Sequence, residues 1–117
     1  MSKLPVFFIP HGGGPCFFMQ WPEPNPWKKM ELFLAGFIKE LPKRPVALLV
    51  ISAHWEELTI GVSTSPAPRL IYDYHNFPAH TYKLTWPAQG DHALAGRIEQ
   101  KLSADGVSCE LHAERGF

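Results

Sequence analysis

Two short apolar runs mark the first half of the chain, at residues 4–9 and 46–51. Runs of this length and composition are typical of strands that are buried on both faces of a sheet. Between them, apolar residues recur at helical spacing and predict a helix over 26–41, with Asn25 as its N-cap. A strand, a helix and a strand in this order predict two parallel strands joined by a right-handed crossover.

The remaining pattern continues this alternation of strands and helices. It predicts strands at 58–64 and 107–111, a short strand at 81–86, a helix over 91–105 capped by Asp91, and loops at 12–25 and 65–80. We therefore expect an α/β fold with a mostly parallel or mixed sheet flanked by helices. A length of 117 residues is enough for one domain with its own core, so we expect a single domain over 1–117.

Composition and charge narrow the possible partners and compartment. Eleven basic and eleven acidic residues give a formal net charge of zero, and the apolar runs are too short to span a bilayer. We therefore expect no nucleic-acid or membrane partner. The two cysteines, Cys16 and Cys109, lie far apart in sequence and are expected to be reduced thiols in a cytoplasmic protein.

A histidine follows each of the two apolar runs. His11 comes after residues 4–9 and precedes three glycines, whose flexible backbone leaves open space beside the imidazole, and His54 comes after residues 46–51. Parallel strands place their carboxyl ends at the same edge of a sheet, where open α/β sheets bind ligands. We expect His11 and His54 to converge there and hold a metal or a small ligand. The alternative is that each histidine only caps a turn.

Two histidines do not complete a catalytic metal site, which normally has three protein ligands. No residue stands at a diagnostic spacing for the third position. The candidates are Glu56, Glu57, Asp73, His75 and His80, each of which is otherwise a solvated turn or loop residue. His92 and His112 are expected to be structural or exposed, and Cys16 is either a reactive thiol or a small buried apolar residue.

Several motifs, in the same order along the chain, resemble class III extradiol ring-cleavage dioxygenases of the LigB superfamily, in the branch similar to DOPA extradiol dioxygenases. They are Pro-His-Gly-Gly-Gly-Pro at 10–15, Ile-Ser-Ala-His-Trp at 51–55, Ile-Tyr-Asp-Tyr-His-Asn-Phe-Pro at 71–78, Tyr82 with Trp-Pro-Ala-Gln-Gly at 86–90, and Glu-Arg-Gly-Phe at 114–117. The first two lie at the ends of predicted strands, and the third lies in the predicted loop 65–80. The resemblance covers nearly the whole chain.

The resemblance implies that His11 and His54 are metal ligands, for Fe(II) first and Zn(II) second. It implies a catechol substrate whose ring is opened with O2 beside the two hydroxyls. Tyr72, Tyr74 and Phe77 then become candidates for contact with the substrate ring, and His75 and His80 become candidates for proton transfer or hydrogen bonding. The family's other metal-site and acid–base histidines match no position here, so the chain is expected to be the N-terminal half of a larger α/β fold. A second half or another copy would complete it, and the chain alone is expected not to open catechol rings.

Two other functions compete with this interpretation. A His-Gly-Gly-Gly sequence after a strand also forms the oxyanion hole of some esterases, but the Gly-x-Ser-x-Gly motif of that fold does not occur in the sequence. A protein that binds metal without catalysis would retain His11 and His54 but show no turnover. Metal content, catechol turnover and ester hydrolysis together distinguish the three.

Overall fold

Two parallel strands and a helix between them in sequence form a βαβ arrangement. A computed structural model describes residues 3–117. In it, β1 (Ile60–Ser63) pairs with β2 (Cys109–His112), in a register that sets Ile60 beside Cys109 and Ser63 beside His112. The connecting helix α2 (His92–Ala104) packs against both strands. This βαβ arrangement confirms the α/β class, and the predicted strands 58–64 and 107–111 are confirmed with slightly different ends.

Local signals at both ends define α2. The Asp91 carboxylate accepts a hydrogen bond from the Leu94 N–H at 2.9 Å, which satisfies one of the unpaired donors of the first turn. At the other end Gly106 has φ +75°, and the Val107 N–H donates to the Leu102 carbonyl at 2.9 Å. This is the Schellman arrangement, which a glycine adopts without steric cost. The predicted helix over 91–105 is therefore confirmed.

The other predicted helix is shorter than expected and begins later. Helix α1 covers Lys28–Gly36, and a 3-10 turn at Phe37–Glu40 extends it to the end of the predicted range 26–41. Asn25 is not its N-cap. The Asn25 side-chain oxygen accepts from the Trp27 N–H at 2.9 Å, which closes a turn ahead of the helix.

The apolar runs that precede His11 and His54 are not strands. Residues 4–9 and 46–51 form neither helix nor strand, so both predictions were wrong. A strand is defined by a neighbour with which its backbone pairs, and no described residue forms a ladder with either run. Many of their side chains are exposed to solvent, and Phe8 is 100% and Ile51 90% exposed.

The predicted short strand at 81–86 was also wrong. A 3-10 turn at Ala79–Lys83 occupies its first half. Thr81 is completely buried there, and both its N–H and its hydroxyl donate to the Pro78 carbonyl, at 2.9 and 2.8 Å. Local hydrogen bonding by a short hydroxyl side chain competes with strand pairing at this position.

Contacts between residues divide the structure into two compact units. The first unit contains the described residues up to Leu48 together with Asp73–Lys83, and the second contains Leu49–Tyr72 and Leu84–Phe117. The βαβ arrangement lies in the second unit and α1 in the first. No helix between residues 3 and 117 combines the length and the apolar character needed to cross a membrane.

Candidate metal and substrate site

In the first unit, the imidazole of His11 is held by the loop that follows it. Its Nδ1 lies 2.9 Å from the Gly12 carbonyl oxygen. A carbonyl can only accept, so Nδ1 carries the proton in this hydrogen bond and the lone pair of the neutral ring resides on Nε2. A backbone carbonyl that fixes the tautomer in this way is a common partner of metal-binding histidines.

Close packing explains two of the three glycines in this loop. A Cβ on Gly12 would lie 2.2 Å from the Cys16 sulfur and 2.9 Å from the Trp27 ring. A Cβ on Gly14, which has φ +49°, would lie 2.9 Å from the Phe77 ring and 3.5 Å from Tyr74 Cβ. The loop after His11 therefore packs against Tyr74 and Phe77.

The aromatic residues of the 72–80 segment are fixed by one another and by the backbone. The rings of Tyr74 and Phe77 meet edge to face with centroids 5.3 Å apart. The Tyr74 hydroxyl donates to the Thr81 carbonyl at 2.6 Å, and the Tyr82 hydroxyl donates to the Tyr74 carbonyl at 3.3 Å. Tyr72 lies in the second unit, where its hydroxyl donates to the Leu84 carbonyl. Of the three predicted substrate contacts, Tyr74 and Phe77 thus lie together beside the glycine loop.

The two candidate proton-transfer histidines differ in their surroundings. His80 Nε2 lies 2.8 Å from the Phe18 carbonyl oxygen, so Nε2 donates there and Nδ1 holds the lone pair of the neutral ring. His80 also lines a cavity of about 360 Å³ together with Phe18, Met19, Gln20 and Pro78. His75 is exposed.

His54 lies in the second unit, within a short segment that has hydrogen bonds on both sides. The His54 N–H donates to the Ser52 hydroxyl at 3.2 Å. One residue further on, the Trp55 indole N–H donates to the Glu57 carboxylate at 2.9 Å. These bonds shape the turn at His54 and engage Glu57, one of the candidate third ligands.

The described residues do not form a complete metal site. Across residues 3–117, no group of three or more His, Cys, Asp or Glu side chains is placed as metal ligands would be. Neither apolar run that precedes His11 or His54 is a strand, so the carboxyl edge of a parallel sheet does not position these two histidines. Their pairing on one ion stays a prediction. The fixed tautomer at His11 nevertheless suits a divalent metal that prefers imidazole.

A cluster around Trp55 was not predicted from the sequence. The ring of Trp55 meets His112 edge to face at 5.3 Å, and the guanidinium carbon of Arg115 lies 4.7 Å from its centroid. His112 was expected to be structural or exposed, and it is half-buried against this ring. No sequence signal points to the cluster, because it joins residues about sixty positions apart.

Cys16 is a buried apolar residue in this structure, with 1% of its surface exposed. Burial raises the pKa of its thiol, chiefly because a thiolate there would lose its solvation. Cys109 is a free thiol of intermediate exposure.

We expect iodoacetamide at pH 8 to label Cys109 and to leave Cys16 unmodified in the folded chain, since alkylation requires an accessible thiolate. Peptide mass spectrometry after timed quenching measures both sites, and labelling in denaturant gives the unprotected rate. Equal rates at the two cysteines in the folded chain would contradict the packing of Cys16.

Comparison with known proteins places these motifs in context. No family model matches the chain. The chain is 41% identical over 87 residues to a 4,5-DOPA dioxygenase extradiol of Portulaca grandiflora, which covers 73% of this chain and 32% of that protein. It is 34% identical over 116 residues to Dioxygenase tasH of Hapsidospora irregularis, with coverage of 92% and 34%. A 4,5-DOPA dioxygenase extradiol of Escherichia coli K12 is 30% identical over 112 residues, with coverage of 96% and 38%.

The matches extend over most of this chain but only part of each relative. The chain spans about a third of the length of the curated relatives that it matches. The matched length is much greater than that of the motifs around His11, His54 and 71–78, so the similarity to dioxygenases is not confined to them. By sequence, the chain is a relative of the 4,5-DOPA extradiol dioxygenases, which confirms the resemblance that its motifs predict.

Proposed function

We propose that this chain contributes His11 and His54 to the metal centre of an extradiol dioxygenase that opens catecholic rings with O2. The observation that carries the proposal is the similarity to dioxygenases over most of the chain, combined with the tautomer of His11. Two imidazoles suit Fe(II) and also Zn(II). When bound, such an ion orients a diol and a small oxidant beside each other.

The chain's own residues have distinct parts in this proposal. The Gly12 carbonyl keeps the proton of His11 on Nδ1, so that Nε2 is the ligand atom. The Tyr74–Phe77 pair, packed against Gly14, offers a rigid aromatic surface for a planar ring. His80 holds a proton on Nε2 toward Phe18, which makes Nδ1 the atom that accepts a proton from a diol hydroxyl.

A chimera tests this function directly. The chain replaces the matching region of the Escherichia coli 4,5-DOPA dioxygenase extradiol, and the product is reconstituted anaerobically with Fe(II) and given a 3,4-dihydroxyphenyl substrate. We expect oxygen uptake and yellow ring-opened product in equal amounts. His11→Ala in the chimera should abolish both, whereas His92→Ala, at an exposed position that begins α2, should not.

The 117-residue chain assayed alone is expected to form no ring-opened product, because two imidazoles orient a metal less completely than three ligands do. A chimera that folds and binds iron but gives no product would instead support metal binding without catalysis. Product from the chain alone at the chimera's rate would show that it needs no further residues.

A further inference from the structure

Trp55, the residue after His54, packs against the sheet. A Cβ on Gly61 would lie 2.5 Å from Cζ2 and 2.9 Å from Cε2 of the Trp55 ring, so the indole rests directly on the backbone of β1. Only a residue without a side chain allows this approach. The indole is therefore located against the middle of the sheet.

Two polar side chains enclose the same ring from β2 and the residues after it. His112, the last residue of β2, meets the indole edge to face at 5.3 Å and 73°. The Arg115 guanidinium lies 4.7 Å from the centroid, within the range of a cation–π interaction. The Ser63 hydroxyl donates to the Arg115 carbonyl at 2.6 Å, which attaches the Arg115 backbone to the end of β1.

His112 and Arg115 each pack against the Trp55 ring and each have a buried nitrogen without a hydrogen bond. Among the described residues, His112 Nε2 and Arg115 Nε are buried and have no hydrogen-bond partner. A buried donor or acceptor without a partner costs about 1–3 kcal/mol. The contact with the Trp55 ring is the interaction that both side chains share.

We infer that Gly61, His112 and Arg115 are positioning residues for His54, which they immobilise through Trp55. The peptide between His54 and Trp55 is a single rigid unit, so a fixed indole restricts the backbone from which the imidazole extends. The Ser52 and Glu57 hydrogen bonds complete the restraint on either side. This inference rests on the proposed role of His54 as a metal ligand.

Gly61→Ala tests the inference, because its methyl group must displace the indole. The first measurement is the ¹⁵N order parameter of the His54 amide in the metal-free protein. The second is the Co(II) dissociation constant. We expect the order parameter to fall and binding to weaken about tenfold, the lower end of the effect of losing an outer-shell partner. Gly96→Ala in α2, where an added Cβ meets nothing within 4 Å, is the matched control and should change neither.

A second pair of variants covers the case in which Gly61→Ala does not fold. Arg115→Met removes the charge from the ring and should loosen His54, whereas Arg115→Lys keeps a cation over the indole and should restore most of the order. An unchanged order parameter at His54 in folded Gly61→Ala or Arg115→Met would overturn the inference. Failure of the wild-type chain to bind Co(II) would count against the proposed function, and the order parameters would still decide the positioning role.

Discussion

Replacing Gly12 with alanine is expected to lower the free energy of unfolding by about 3 kcal/mol or to prevent folding, the upper end of the usual effect of overpacking. The new methyl group would lie 2.2 Å from the Cys16 sulfur and 2.9 Å from the Trp27 ring. Cys16 is buried and has little room to move. Urea denaturation followed by circular dichroism measures the change.

Gly13→Ala is the matched control, since a Cβ at this neighbouring position meets nothing within 4 Å. It should alter stability by no more than about 1 kcal/mol, in either direction. Combining Gly12→Ala with Cys16→Ala removes the nearer clash. The double variant should therefore lose less free energy of unfolding than the two single variants lose in total. A Gly12→Ala chain as stable as Gly13→Ala would show that the loop after His11 is not packed as described.

His11→Ala and His54→Ala should each weaken binding of Co(II) or Zn(II) by well over the roughly 10- to 100-fold that loss of an outer-shell partner costs. Each change removes a proposed ligand, and a site with few ligands has no substitute for it. Because a histidine ligand must be neutral, acidification should also release the metal. Titration calorimetry and the visible spectrum of Co(II) measure affinity and ligand type.

His92→Ala serves as the control for this pair. His92 is exposed, begins α2 and belongs to neither histidine motif. It should bind metal like the wild type. Unchanged binding in both His11→Ala and His54→Ala would remove the basis for a shared centre. A loss confined to one of them would show that the two histidines do not hold the same ion.

The parts of the fold that could be predicted are those determined by neighbours in sequence. Helix α2 has its cap at Asp91 and its stop at Gly106, and both act within one turn of the helix end. The strands at 60–63 and 109–112 were recognisable by their alternating or β-branched residues. The composition of residues 4–9 and 46–51 favours strands as strongly. A strand also requires a second strand to pair with, and composition does not determine whether one is present.

The candidate site also contains residues that local sequence identifies and contacts that only the fold creates. His11 was identifiable as a candidate because an apolar run precedes it and three glycines follow it directly in sequence. The enclosure of Trp55 by His112 and Arg115 depends on the parallel register of β1 and β2, which no local pattern specifies. The packing of Gly14 on Phe77 likewise joins residues sixty positions apart. Long-range contacts of this kind decide what a motif does, and they become visible only in the fold.

The exposed apolar runs at 4–9 and 46–51 are expected to promote association between copies of the chain. Exposed windows of β-branched and aromatic residues without charge favour strand pairing between molecules, the first step of aggregation. A net charge of zero offers little overall repulsion against it. Lys43, Arg44 and Pro45 directly precede the second run, and Pro5 and Pro10 bound the apolar part of the first. We expect these charges and prolines to oppose the strand pairing that the apolar side chains favour.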